Sequence, residues 1–231
     1  NRAGLTTHLV IHPVLRVRRD VDNRLAEVLD WHLESDGTTL EAIMRFEVDR
    51  QVEAQTLKRI ETDVLHTLLD VYAAVEDWPQ MRAHLVRALD SWAQSPPPCG
   101  VGAVAWASAF IQWLADDNFT LLGTQHTGAL RAHGTARWKR AAGLGICRRS
   151  EGDGGTVWSD MTPPPGHGLA PLFIGKATAR ATVHRPGYLD YIGIKQFGAD
   201  GAVISEVGFV GLYTADAYSL GTRQIPVLAD K

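Results

Sequence analysis

Cysteine is nearly absent: Cys99 and Cys147 are the two in 231 residues, far apart and without CxxC or metal-ligand spacing. That excludes a disulfide framework and a zinc ribbon, and fits a reducing, cytoplasmic compartment. An excess of one charge is also missing. Lys and Arg total 23 against 26 Asp and Glu, a formal net charge of -3, so the chain has no general attraction for nucleic acid. Nowhere does an apolar run approach the roughly 18 residues of a membrane helix. The most apolar stretch, Val101 to Leu114, is followed closely by Asp116-Asp117. None of the nine histidines sits in a G-x-S-x-G-like nucleophile motif, so hydrolase machinery is not visible. The start at Asn1 instead of Met reads as a trimmed chain, and the lack of a signal peptide therefore carries little weight.

What is present is ordinary globular composition, 45% hydrophobic and 21% charged, in a length suited to one large domain or two small ones. Leu9-Val10-Ile11 and Val14 to Arg18 are rich in β-branched residues around Pro13 and predict a bent strand. Leu25 to Leu33, followed by Ser35-Asp36-Gly37, predicts a second strand and a turn. Ala42 to Val48 predicts a third, together an antiparallel meander. The period then changes. Leu57, Ile60, Val64, Leu68, Val71 and Val75 recur at helical spacing, predicting an amphipathic helix that stops at Trp78-Pro79. Met81, Leu85, Leu89 and Trp92 predict a second helix, closed by Pro96-Pro97-Pro98. That proline run places a linker between two modules, 1–95 and 96–231.

Val104, Ala107, Ile111 and Leu114 predict another helix, and a strand follows from Phe119 to His126. Residues 128–140 and 150–168 read as mobile loops, with a short strand at Leu144 to Arg148 between them. Three strands, Pro171 to Ala177, Tyr188 to Phe197 and Val203 to Tyr213, complete the second half, the last two joined by a turn at Gly198 to Gly201. The fold class predicted is α+β, antiparallel sheets packed with amphipathic helices.

Several motifs have simpler readings than their names suggest. Gly100-Val101-Gly102-Ala103-Val104-Ala105 fits a dinucleotide fingerprint in spacing, but three prolines precede it where a buried strand is required, so a linker-to-helix start is preferred. Gly143-Leu144-Gly145 lacks the third glycine and suits a turn. Asp116-Asp117 offers paired carboxylates to a metal, yet with Asn118 after them they read as a helix stop. The Asn118-Phe119-Thr120 sequon means little without evidence of secretion. The dense polar constellation is Lys176, Thr178, Arg180, Thr182, His184 and Arg185. In extended backbone its even-numbered members share a face, so Lys176, Arg180 and His184, with Arg185 beside them, form the candidate ligand or interface site. Its chemistry suits an anion, and its bland alternative is an exposed face or a set of intersubunit ion pairs.

Several segments together resemble one family, the very large bacterial NAD-specific glutamate dehydrogenases. The resemblance rests on His12-Pro13-Val14-Leu15 with Arg19-Asp20, Phe46-Glu47-Val48-Asp49-Arg50, and Ala74-Val75-Glu76-Asp77-Trp78. It continues through Trp113 to Gly123, Gly143-Leu144-Gly145-Ile146, Lys176-Ala177, Thr182-Val183-His184-Arg185-Pro186 and Tyr188 to Gly193. The chain departs from the family pattern at Gly123-Thr124-Gln125-His126-Thr127 and at Thr178-Ala179. The resemblance implies an N-terminal regulatory and assembly segment built of ACT-like (ferredoxin-like) or PAS-like modules. It further implies a catalytic domain downstream in the same chain, a homo-oligomer and an amino-acid effector. NAD would belong to the parent enzyme, and no catalytic, cofactor or metal residue is assigned to this chain. A freestanding amino-acid sensor and a small enzyme using the basic cluster near Arg180 are the alternatives.

Overall fold

Pro13 cannot donate to a ladder, and it separates β1 (Thr7–Ile11) from β2 (Val14–Arg19). The expected single bent strand is thus two strands, and they join different sheets. In the computed structural model, residues 4–32, 35–132, 135–140, 143–148, 170–220 and 226 are described. β1 pairs antiparallel with β5 (Arg45–Val48), while β2 lies between β3 (Leu25–Leu29) and β4 (Thr38–Ala42). The third strand expected over Ala42 to Val48 is divided between β4 and β5. The order β3-β2-β4 is no simple meander. Gly37 lies at φ 72° in the turn before β4, a conformation open to glycine at little cost.

α1 (Ala54–Gln94) is one helix, with Pro79 inside it. Its buried residues are Asp70, Ala74, Asp77, Met81, Leu85, Ala88 and Trp92, which recur every three or four positions and stay in phase through the proline. An internal proline costs a helix about 3 kcal/mol. Burial on both sides of it outweighs that cost, so the predicted stop at Trp78-Pro79 does not occur. The inward face also differs from the predicted one. Leu57, Val64, Val71 and Val75 are exposed, whereas two aspartates face inward.

Contacts divide the chain into Asn1–Val64 and Leu65–Lys231, so the boundary falls within α1 and well before the proline run. The division expected at 1–95 and 96–231 differs because Met81, Leu85, Ala88 and Trp92 share a core with residues beyond Pro98. In the first unit, Val17 is the sole buried hydrophobic among the described residues.

The second unit is organised on a sheet of order β7-β6-β11-β10-β9, with β8 also on β6. Its strands are β6 (Phe119–Ala132), β7 (Thr135–Arg140), β8 (Leu144–Gly145), β9 (Leu172–Arg180), β10 (Tyr188–Phe197) and β11 (Val203–Tyr213). Every strand pair among the described residues is antiparallel, so the predicted α+β class holds. Residues 128–140, expected as a loop, are largely a hairpin running from Thr127↔Arg140 to Ala132↔Thr135. Backbone pairing holds this ribbon without the apolar alternation that would have marked it in sequence. The expected loop at 150–168 lies outside the described residues.

Alternation along the strands makes two faces. Ile192, Ile194, Val207 and Phe209 pack with Met81 to Trp92 of α1 and with Phe110 and Ile111 of α2 (Val101–Trp113). On the other side Leu189, Tyr191, Val210 and Leu212 pack with Ile146, Cys147, Ala181 and Val183. A short helix, α3 (Ala215–Ser219), was not foreseen. Thr214 caps it by accepting from the Ala217 amide.

Candidate functional site

Alternation continues through β9 and just past it. Ala177, Ala179, Ala181 and Val183 pack into the second cluster, leaving Lys176, Arg180 and His184 exposed on the other side. A shared exposure does not bring them together. The strand ends at Arg180, His184 sits beyond it at φ 70°, and a bulge sets four steps of β9, Lys176 to Arg180, against two of β10. Each cation has its own neighbour. Lys176 Nζ lies 2.7 Å from Asp190 Oδ1, the Arg180 guanidinium lies 4.7 Å from the Tyr188 ring centre, and Arg185 donates to the Tyr213 carbonyl at 2.9 Å while lying over the Tyr218 ring. Thr182 donates to Asp70 Oδ2 at 2.6 Å and holds α1 instead of lining a ligand face. The Thr178 side chain lies outside the described residues.

Two of the four candidates, Lys176 and Arg185, meet a polar and aromatic cluster that sequence reasoning missed. Asp190 is directly opposite both Lys176 and Gly211. Gly211 is required there, because a Cβ would lie 2.1 Å from the Thr120 carbonyl oxygen. Tyr213 makes ring contacts with Trp113, Phe119 and Tyr218. Burial pushes the Tyr213 phenol well above its ordinary pKa, and the nearby Asp190 charge and Tyr218 raise it further. The phenol is therefore a neutral donor at any physiological pH. The Tyr188 to Gly193 run contained Asp190, but only strand register shows what it opposes.

The other motifs are architectural. Asp77 Oδ2 accepts the Gly145 amide at 2.7 Å, and both Asp77 oxygens take the Arg148 guanidinium, which also reaches Glu76 at 2.8 Å. The Glu76-Asp77 and Gly143 to Ile146 segments are thus halves of one clamp. Gly145 lies at φ 61°, and a Cβ on it would sit 2.2 Å from the Leu122 carbonyl oxygen, so the turn needs that glycine. Gly100 opens α2 with no side-chain cap and no strand before it. Asp116 accepts from Gln112, Asp117 lies at φ 62°, and Asn118 donates to the Trp113 carbonyl, the geometry of a stop and turn. His8 and His12 have the spacing of a helical metal pair, but His8 lies in β1, where its Nε2 meets Asp49 at 2.8 Å. Among the described residues no group of three or more His, Cys, Asp or Glu is placed to hold a metal, and no helix is long and apolar enough to cross a membrane. A recess of about 340 Å³ lined by Cys99, Ala103, Trp106, Ala107 and Leu172 is almost wholly apolar.

The first compact unit ends at Val64, and a family model ends there too. Residues 1–64 match the glutamate dehydrogenase ACT1 domain. The ACT1 match therefore coincides with the unit that holds β1 to β5, whose strands pair antiparallel. The similarity extends over the whole chain. It is 32% identical over 242 residues to the NAD-specific glutamate dehydrogenase of Halomonas elongata, and 27% identical over 239 residues to that of Pseudomonas aeruginosa. The chain spans 15% of the length of each of these relatives. The resemblance drawn from the motifs is thus found again from end to end, in the ACT1 domain and in the unit that follows it.

Proposed function

We propose that this chain is a noncatalytic regulatory and assembly segment of a large NAD-specific glutamate dehydrogenase. The parent reaction is the reversible oxidative deamination of glutamate to 2-oxoglutarate and ammonia, carried out with NAD by a catalytic domain elsewhere in the same cytoplasmic polypeptide. The second unit, a broad antiparallel sheet packed with helices, serves as a further ACT-like or PAS-like module. One observation carries the assembly role. The ACT1 domain buries Val17 and leaves Leu9, Val10, Ile11, Phe46 and Val48 exposed on its two-stranded sheet. A 64-residue unit of that kind has too little core of its own to stand alone, and apolar sheet faces of this sort are contact surfaces. The partner surface belongs to the assembled homo-oligomer.

The test uses the full-length enzyme with and without residues 1–231. Deletion is expected to leave the chemistry of glutamate and NAD measurable while changing the oligomeric state by light scattering, or the response to amino acids. The purified segment is expected to form no NADH from glutamate and NAD. Turnover by the segment alone would overturn the reading.

A further inference from the structure

α1 has a second apolar side. Leu57, Val64, Leu68, Val71, Val75 and Trp78, with Glu61 after Leu57 and Arg82 after Trp78, step along the helix by four and three residues in strict alternation. That is the spacing of a seam that meets another helix. Val71, Val75, Trp78 and Arg82 each follow directly on a buried residue, Asp70, Ala74, Asp77 or Met81, and one residue turns a helix by about 100°. The seam is therefore a different side from the one that enters the core. It is largely bare. Leu68 is half-buried, whereas Leu57, Val64, Val71, Val75 and Trp78 are exposed, Val75 at 70%. Single exposed apolar residues are ordinary, but a strip about 38 Å long is the kind of surface that a partner covers.

The charges point to the partner. Glu61 and Arg82 are the charged positions of the seam, one towards each end, and both are exposed. Glu61 carries a surface ion pair with Lys58 at 3.0 Å, and the Arg82 guanidinium lies 5.9 Å from the Trp78 ring centre. Two such helices laid parallel would set Glu61 on Glu61 and Arg82 on Arg82. Reversed, each seam offers its negative end to the positive end of the other, and a two-fold axis makes the match twice. We propose that α1 pairs antiparallel with α1 of a second copy of this chain. With Leu68 against the partner's Val71, Val64 meets the partner's Val75, and Glu61 comes beside the partner's Trp78 and the partner's Arg82. Each Arg82 keeps its ring contact and donates its outer N–H groups to the Glu61 carboxylate across the axis. The apolar middle supplies the attraction, and the charged ends fix direction and register. This pairing deepens the assembly reading above and rests on it only for its place in the oligomer, since the exposed sheet of the ACT1 domain takes no part.

Disulfide trapping in the full-length enzyme tests it, with Val64→Cys and Val75→Cys made together and the mass read on a non-reducing gel after mild oxidation. The two positions are about 16 Å apart along one helix, too far for a bond within a chain. A covalent dimer is expected from the double variant, and none above the wild-type background from either change alone. On the double-cysteine background Glu61→Arg and Arg82→Glu should each lower the yield roughly tenfold, and both together should restore it. Those residues lie about 30 Å apart on α1, so the rescue can come only from another copy. A dimer from Val64→Cys alone would make the helices parallel and overturn the proposal. So would the absence of a dimer from the double variant, or charge reversals that do not rescue each other. A trapped dimer in an enzyme whose oligomeric state survives deletion of residues 1–231 leaves the pairing standing and removes the assembly reading. An oligomer lost on deletion, with no trapped dimer, removes the pairing alone.

Discussion

Asp77 has no solvent to replace Arg148. Its side chain is 2% exposed, and apart from Arg148 its donor is the Gly145 amide. Arg148→Met therefore leaves a buried carboxylate with one hydrogen bond. The expected result is a lower denaturant midpoint than that of the wild type. The loss depends on pH in a defined direction. Arg148 holds the Asp77 carboxyl below its ordinary pKa, helped by the Gly145 amide and opposed by burial. A depressed carboxyl stabilises the fold above its unfolded pKa of about 4, and that contribution disappears as pH falls through the lower folded value. Wild type and Arg148→Met should therefore differ most near neutrality and converge in acid. A gap that widens on acidification would show that the clamp does not carry the effect.

Pro79 breaks the local rules of α1 and is tolerated because of packing on either side. Replacing it restores a backbone donor and removes a clash, so Pro79→Ala should stabilise the chain by about 1–2 kcal/mol, the helix penalty less the unfolded-chain entropy that proline had withheld. A lower denaturation midpoint would mean that the proline ring itself contributes packing there. Two glycines from motifs of similar appearance should also respond oppositely. Gly102 lies inside α2 with nothing within 4 Å of a Cβ, so Gly102→Ala should gain about 0.5–1 kcal/mol in helix propensity. Gly145→Ala meets both a positive φ and the Leu122 carbonyl, and should cost more than about 2 kcal/mol. Equal effects at the two sites would contradict the assigned geometries.

At the scale of the molecule, stability is unevenly divided. Both hydrophobic clusters lie beyond residue 64, and the ACT1 domain has little interior of its own. A chain of residues 65–231 should accordingly unfold in one cooperative transition, whereas residues 1–64 alone should melt without one, as followed by circular dichroism. A sharp transition in the shorter piece would remove the main support for an assembly role. The boundary itself illustrates why composition misleads: the proline run looks like a linker, but Pro98 lies close to the turn at Gly201, inside the second unit.

Much of this molecule is legible from its order of residues. Strands β10 and β11 coincide with the ranges predicted for them, α2 follows its apolar spacing, and Gly198 to Gly201 make the turn between the last strands. Those features are local, and local periodicity reports them. The inward face of α1 is different. Asp70 and Asp77 look like solvent-facing residues until Thr182 and Arg148 reach them from 112 and 71 positions away, and the apolar residues beside them are left outside. The same holds for the candidate site. Lys176 and Arg185 stand out in sequence as charge, but that one opposes Asp190 and the other binds the Tyr213 carbonyl depends on strand register and chain reversal. Sequence by itself determined the α+β class, the last strands of the sheet and the family resemblance, because these rest on short-range pattern. Tertiary structure decided which charges are buried and which apolar residues are left outside, because only packing sets the distance between residues remote in the chain.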